Sequence, residues 1–389
     1  MDLSYTEEQK LLRSSAMDLL EKELPRKRVR EIDESTDGFP RDLWQKMAGL
    51  GWAGLTIPEE YDGSGRSFTD AAVLHEALGY YAYNGPLLDS GVLSAQVILE
   101  AGSAAQKKKY LPAIASGNQV FTFAFTEPDY GWGPNSVKLQ ATKKGNNYVL
   151  NGTKLFIPWA NIADQIIVAA RTGGSGENGI TLFVVEKGAK GVSTRLLQGW
   201  LGNKLNEVTF KDVEVPAANV LGKEGAAWPA IENAQDRATA VLNAYMAGGA
   251  KKVYEMARDY STQRIAFGVP IGTFQWVQTH VINSLDGADS AWLVAYEALW
   301  RLEEGQSKES VQEGISSAKA VCSESFSRAC DSSHDVHAGI GIDLDFGLVY
   351  YTVRARTYQQ YLGDAIYHKR RIAKLLKFQG EPAAAGAKK

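Results

Sequence analysis

Two short segments of the chain combine tight turns with flat side chains. Phe123-Ala-Phe-Thr-Glu-Pro-Asp-Tyr-Gly-Trp-Gly-Pro134 begins as an alternating strand and breaks at Glu127-Pro128 and again at Gly131-Trp132-Gly133. Tyr148-Val-Leu-Asn-Gly-Thr-Lys-Leu-Phe-Ile-Pro-Trp-Ala160 is a second strand that ends on aromatics and proline. Turns expose backbone donors and aromatic rings offer apolar faces, so the pair suits a flat cofactor that also accepts hydrogen bonds. An arginine standing alone, such as Arg264, reads as a surface ion pair, although its planar fork is also suited to phosphate. Asp364 stands immediately before Ala365-Ile-Tyr-His-Lys-Arg-Arg371, where a helix wants an N-cap. His337, beside a glycine-rich turn, and His368, inside a basic helix, are titratable but read more readily as structural groups.

These residues need elements to hold them. From Ser4 to about Gly117 apolar residues recur at three and four, as in Leu11, Leu12, Ala16, Leu19 and Leu20, which predicts helices. Tyr5-Thr-Glu-Glu-Gln9 reads as a capping box opening the first of them rather than as a signal peptide. From Thr122 to about Val220 the period becomes two, as in Ile166-Ile-Val-Ala169 and Ile180-Thr-Leu-Phe-Val-Val185, and predicts a β domain. Helical periodicity returns over residues 226–263, 272–304 and 308–334, with a last helix over 364–376. The expected units are 1–120, 121–222 and 223–380, followed by a disordered Ala-, Gly- and Lys-rich tail over 381–389.

The chain has 389 residues, 44% of them hydrophobic, enough for two or three packed units. A net charge of -3 gives no reason to expect nucleic acid as a partner. No apolar run approaches the roughly 20 residues that span a bilayer. Cys322 and Cys330 share one helical stretch, where a disulfide is awkward and no metal pattern appears, as suits a reducing compartment. The expectation is a soluble, cytoplasmic protein without membrane insertion.

The two opening segments resemble the flavin-binding centre of the acyl-CoA dehydrogenase family, which carries a T-E-P turn and then an N-G-x-K-x-(W/F)-I strand. Gln263-Arg264-Ile-Ala-Phe-Gly-Val-Pro-Ile-Gly-Thr-Phe-Gln275 is similar to the family's R-x-x-F-G…Q motif, and Val336-His-Ala-Gly-Ile-Gly341 to its H-G-G-x-G turn. The α, β, α order alone permits several folds. The resemblance selects an α+β fold: an N-terminal helical domain, a middle β-barrel and a C-terminal domain like a four-helix bundle. It implies FAD, an acyl-CoA substrate, an electron-transfer flavoprotein as electron acceptor, and a homotetramer or a heterotetramer with a homologous subunit. By position in the motifs, Phe123, Phe125, Thr126, Gly131 and Trp132 line one flavin edge, and Phe156, Ile157 and Pro158 its ring face. Arg264, Phe267, Phe274 and Gln275 reach the pyrophosphate and adenine end from a neighbouring subunit, and the turn of Asp335, His337 and Gly339 receives it. Asp364 is a further FAD contact, and Trp132, Arg237 and Tyr361 are expected at the substrate.

Two departures stand out. Pro158 occupies the place of a threonine whose hydroxyl sits near flavin N5, and proline offers neither hydroxyl nor backbone donor. The family's Y-E-G-T loop, source of the catalytic glutamate, reads Tyr361-Leu362-Gly363-Asp364 here, and leucine takes no proton. Asp236, before Arg237, matches the position used by a minority of members; its alternative is a carboxylate in the first turn of a helix or a partner of Arg237. Asp89 matches an aspartate of the branch that shares the L-G-D-A-x-Y-H tail and handles alicyclic acyl-CoAs; its alternative is an N-cap for a helix starting at Ser90 or Gly91. The resemblance thus implies a dehydrogenase with an aspartate base acting on a cyclic thioester of the cyclohexane- or cyclohexene-carboxyl type, in aromatic or alicyclic acid degradation. Its rival is a non-catalytic or half-site subunit completing the flavin site of a homologous partner. More distant is a flavin enzyme on the same scaffold that uses oxygen.

Overall fold

The computed structural model describes residues 3–199 and 204–377; the expected disordered tail lies outside them. The first unit is helical: Glu7–Glu23, Arg26–Glu34, Arg41–Gly49, Phe68–Tyr80, Ala95–Ala101 and Ala104–Ala115. The capping box at Thr6 forms with Gln9, and two further boxes, Ser67 with Asp70 and Ser103 with Gln106, open later helices. Each satisfies two otherwise orphaned backbone donors at a helix start. Between these helices Leu87–Ser94 winds as a π-helix. Such wide turns are rare and cluster at functional sites. Gly91 lets this turn press onto the first helical layer, because a Cβ there would stand 2.6 Å from the Ala53 carbonyl oxygen.

The middle unit is an eight-stranded sheet: Phe121–Ala124 (β1), Gln140–Lys144 (β2), Asn147–Pro158 (β3), Gln165–Arg171 (β4), Ile180–Glu186 (β5), Val192–Leu196 (β6), Leu205–Pro216 (β7) and Val220–Leu221 (β8). Its order is β6-β7-β3-β2-β4-β5-β8, with β1 parallel to β4. Among the described residues no ladder pair joins β6 to β8, the two ends of this order. Strands β4 and β5 are buried on both faces, yet the period of two still does its sorting. Ile167, Ala169, Leu182 and Val184 face the large core shared with the helices, while Ile166, Val168, Phe183 and Val185 face a separate core inside the sheet unit.

The C-terminal unit consists of long helices Trp228–Gln263, Gln275–Glu303 and Lys308–His337, followed by Leu348–Tyr358 and Ala365–Leu375. The third long helix runs three residues past the expected end, and Leu348–Tyr358 was not foreseen as a separate element. Gly79 and Gly248 bring the helix Phe68–Tyr80 onto the first long helix; a Cβ on either would come within 2.0 Å of a carbonyl oxygen of the other helix. The two helical units therefore share one core. Cys322 and Cys330 are buried free thiols, and among the described residues there is no metal-ligating cluster and no helix long and apolar enough to cross a membrane.

Candidate active site

A cavity of about 670 Å³ lies where the three units meet. The N-terminal unit contributes Asn84, Asp89 and Leu93; the sheet contributes Phe123, Phe125, Thr126 and Leu155 to Trp159; the C-terminal unit contributes Val353, Arg354, Tyr358, Tyr361 and Leu362. Its wall is mainly aromatic and aliphatic, with Asp89 and the cations Lys204, Arg354 and Arg356 among its polar groups, as suits a site for an organic ligand.

The turn after β1 is fixed by one buried ion pair. Lys154 on β3 places its Nζ 2.8 Å from Glu127 Oε1 and donates to the Phe125 carbonyl at 2.9 Å. The Glu127 carboxylate also accepts from the backbone N–H groups of Lys138 and Leu139. The glutamate of the first segment and the lysine of the second are thus partners, which is why the two motifs belong together. Burial lowers the Lys154 ammonium to about 8 against the opposing pull of Glu127. Just beyond Lys154 the β3–β7 register shifts, and this bulge carries Phe156 at φ 57°, half exposed toward the cavity. Trp159 at φ 59°, Tyr130 at φ 50° and Leu362 at φ 59° are also left-handed without being glycine. Four such residues around one cavity mark a wall held in shape by its surroundings.

Asp89 sits within the π-helical Leu87–Ser94 segment and is 4% exposed. It therefore caps no helix. Trp159 Nε1 donates to Oδ2 at 3.1 Å, and the Tyr361 hydroxyl donates to Oδ1. Ser90 beside it accepts from the Phe121 N–H at 3.0 Å and ties the segment to β1. Burial pushes the Asp89 carboxyl up to about 6, while the donors Tyr361 and Trp159 pull the other way. Burial first, and then the adjacent Asp89 carboxylate, drives the Tyr361 hydroxyl well above the ordinary phenol range. At neutral pH the carboxylate is ionised yet close enough to titration to accept a proton.

Asp236 is placed elsewhere. Its carboxylate is gripped by both Nη atoms of Arg371, the Nη2 contact being 2.7 Å, and accepts from Gln312 at 3.2 Å. It does not line the cavity. Arg237, expected at the substrate, pairs with Glu100 and stacks over Phe68 at 5.7 Å. Each is held in an ion pair away from the cavity lining, and Asp236 finds its partner 135 positions away rather than in its neighbour. Asp364 caps the last helix, accepting from the Tyr367 N–H at 2.7 Å. Phe123, Phe125, Thr126, Trp132, Phe156, Ile157, Pro158 and Tyr361 all line the cavity, and Gly131 lies between two lining residues, Tyr130 and Trp132.

Arg264, Phe267, Phe274 and Gln275 are not at this cavity. They form a hairpin of Ile265–Ala266 with Val269–Pro270 and its exit, with Phe267 at its tip 96% exposed. His337 is locked between Tyr260 and Phe346, its Nδ1 2.7 Å from the Ser333 carbonyl oxygen. Asp335 faces His280 at 3.5 Å, and Gly339 lies in the turn Ala338–Ile342. Sequence reasoning overlooked Trp159 as a donor to Asp89, and also Asn84, Gln235 and Tyr358 on the wall.

The chain matches the acyl-CoA dehydrogenase N-terminal domain over residues 6–118, the middle domain over 122–213 and the C-terminal domain over 227–377. It belongs to the acyl-CoA dehydrogenase family. Over 383 residues it is 31% identical to the acryloyl-CoA reductase (NADH) of Anaerotignum propionicum, covering 96% of this chain and 95% of that one. In fold it is similar to a chain solved in work on the electron transferring flavoprotein of Acidaminococcus fermentans, with TM-score 0.90, 30% identity and coverage of 97% and 99%. It is also similar to the FAD complex of PigA, with TM-score 0.89, 26% identity and coverage of 98% and 100%. The chain is accordingly a FAD-dependent oxidoreductase of the CH–CH group of CoA thioesters.

The cavity fits the isoalloxazine end of FAD. It has an aromatic and aliphatic wall from β3, and at its edge Thr126 carries a hydroxyl that bonds no other described residue. Pro158 presents no donor, and its carbonyl is taken by the Thr122 hydroxyl at 2.6 Å.

Proposed function

We propose that this member dehydrogenates a CoA thioester with a cyclic acyl group, of the cyclohexene-carboxyl type, and that Asp89 is its base. The observation that carries the reading is that Asp89 is the only carboxylate among the described residues lining the cavity. Leu362 occupies the loop position from which most members present a glutamate. Bound FAD supplies the hydride acceptor.

Asp89 approaches from the N-terminal unit, and a proton taken there belongs to a carbon farther from the thioester than the usual one. In an acyl group already unsaturated beside the thioester, that vinylogous carbon is acidified through the double bond. Loss of its proton to Asp89 and of a hydride from a second ring carbon leaves a conjugated diene. Tyr361 and Trp159 hold the carboxylate in place and, by hydrogen bonding, stabilise its charged form. Phe123, Phe156 and Tyr358 supply flat faces for a ring and exclude water. We place Phe123, Phe125, Thr126, Trp132, Phe156, Ile157 and Pro158 at the flavin. The Arg264–Gln275 hairpin, with its exposed Phe267, reaches the FAD of a neighbouring subunit in a tetramer. Electrons leave to an electron-transfer flavoprotein, a pairing supported by the Acidaminococcus fermentans likeness.

A second reading is a half-site subunit, favoured by Leu362 and Pro158. Anaerobic titration of the chain expressed alone with straight-chain, branched and cyclohexene-type acyl-CoAs separates the two. Bleaching by the cyclic thioester supports the enzyme; bound flavin that none of them bleaches supports the subunit.

A further inference from the structure

The long helix Lys308–His337 turns an apolar face, with Ile315, Cys322 and Phe326, toward the core, and Lys319 lies on that face fully buried. A buried ammonium is usually paired with a carboxylate, because its desolvation is otherwise uncompensated. Among the described residues Lys319 has no ion pair within 4.0 Å. Its Nζ donates instead to the carbonyl oxygens of Gly363 at 2.8 Å, Tyr358 at 2.9 Å and Gln359 at 3.3 Å, and to Ser323 Oγ at 3.1 Å. Two of these carbonyls end the helix Leu348–Tyr358, where the dipole favours a cation. The third closes the loop that follows.

His368 completes the arrangement: its Nε2 is 3.0 Å from the Leu362 carbonyl oxygen. The carbonyls of residues 358, 359, 362 and 363 thus meet two buried basic side chains, while Tyr361 and Leu362 line the cavity. Gly363 is required where the clamp closes. At φ 105° a Cβ there would stand 2.6 Å from Tyr367 Cδ1 and 2.7 Å from His368 Nε2. The strained Leu362 is held by the same contacts. Between the clamped carbonyls of 359 and 362, the Tyr361 hydroxyl donates to Asp89.

We infer that Lys319 is a positioning residue for Asp89: it gathers the loop carbonyls and so aims the Tyr361 hydroxyl at the carboxylate. The inference rests on the reading of Asp89 as base. A lysine serves here because its Nζ can donate to several acceptors at once, so one side chain ties the helix end at Tyr358 and Gln359 to Gly363 in the loop of residues 359–364. A methionine of similar length would fill the space and leave the carbonyls of 358, 359 and 363 without that donor.

The test compares flavin-loaded wild type, Lys319→Met, Tyr361→Phe and the double variant by amide hydrogen exchange and by the pH dependence of turnover. Tyr358 and Tyr361 are the other titratable side chains facing Asp89, and both titrate far above the acid limb. Lys319→Met is expected to speed exchange over residues 358–363 by at least about tenfold while flavin stays bound. Loss of the aimed hydroxyl removes a donor that favours the Asp89 carboxylate, so the acid limb moves to higher pH by on the order of one unit. The double variant should shift no further than Tyr361→Phe alone. Unchanged exchange overturns the inference, and so does faster exchange with an unmoved acid limb. Should Lys319→Met fail to accumulate, Lys319→Gln, which keeps one donor group, is judged by the same two readouts. Full turnover in Asp89→Asn sinks the base itself, and the exchange readout still decides whether Lys319 holds the loop.

Discussion

Replacing Asp89 by asparagine should give the protein a stability advantage over wild type that grows as pH rises, while disabling it. Burial lifts the Asp89 carboxyl from its ordinary 3.8 to about 6 in the fold. The folded state therefore binds this proton more tightly than the unfolded chain, so Asp89 contributes most below the unfolded value. That contribution is lost as pH rises through about 6. At 1.36 kcal/mol per unit, the roughly two-unit difference amounts to about 3 kcal/mol by pH 8, about half of it between pH 5 and pH 8. Asparagine carries no charge to desolvate and drops out of this dependence. The assay is urea unfolding of wild type and Asp89→Asn, matched for flavin content, at pH 5, 6, 7 and 8. The variant's advantage over wild type is expected to grow by roughly 1.5 kcal/mol across the series. Turnover should fall by about a hundredfold to ten-thousandfold at every pH. Parallel stability curves, or an advantage that shrinks with pH, would refute the assignment of Asp89 as a carboxylate strained by burial.

Asp236→Asn leaves the largely buried Arg371 with only the Glu232 carboxylate, 3.7 Å away, and should destabilise the protein by up to about 3 kcal/mol in thermal or urea melts, with turnover per bound flavin within about twofold of wild type. Lys154→Met strands Glu127 in the same way; a loss of about 3–5 kcal/mol is expected, together with poorer flavin retention after gel filtration, because the turn carrying Thr126 loses its anchor. Leu362→Glu puts a second acid on the Asp89 wall. Like-charge repulsion should raise the proton affinity of the pair, so the acid limb of turnover with the cyclic thioester moves to higher pH in a steady-state profile.

Local features were legible in the chain because their causes are local. The capping box at Thr6, the Asp364 cap and the change of period from helix to sheet all depend on residues a few positions apart. The motif pairs were legible for a related reason: Glu127 and Lys154 sit in recognisable patterns, although their ion pair spans 27 positions. Partners set by tertiary packing were not. Nothing near Asp236 points to Arg371, and the adjacent Arg237 offered a plausible but wrong partner. The π-helical winding of Leu87–Ser94 hid the setting of Asp89, since a regular helix start there would have made the same residue a cap. Lys319 left one faint trace, a lone cation on the apolar stripe of Ile315, Cys322 and Phe326, but its partners come from a loop about forty positions downstream.

The central claim is that Asp89 takes the substrate proton at a working flavin site. The direct measurement is rapid anaerobic mixing of flavin-loaded wild type and Asp89→Asn with a cyclohexene-carboxyl-CoA, following the flavin absorbance. The account predicts prompt bleaching in the wild type and, in the variant, flavin that stays bound and oxidised, with bleaching at least about a hundredfold slower. Equal rates in the two proteins would contradict it.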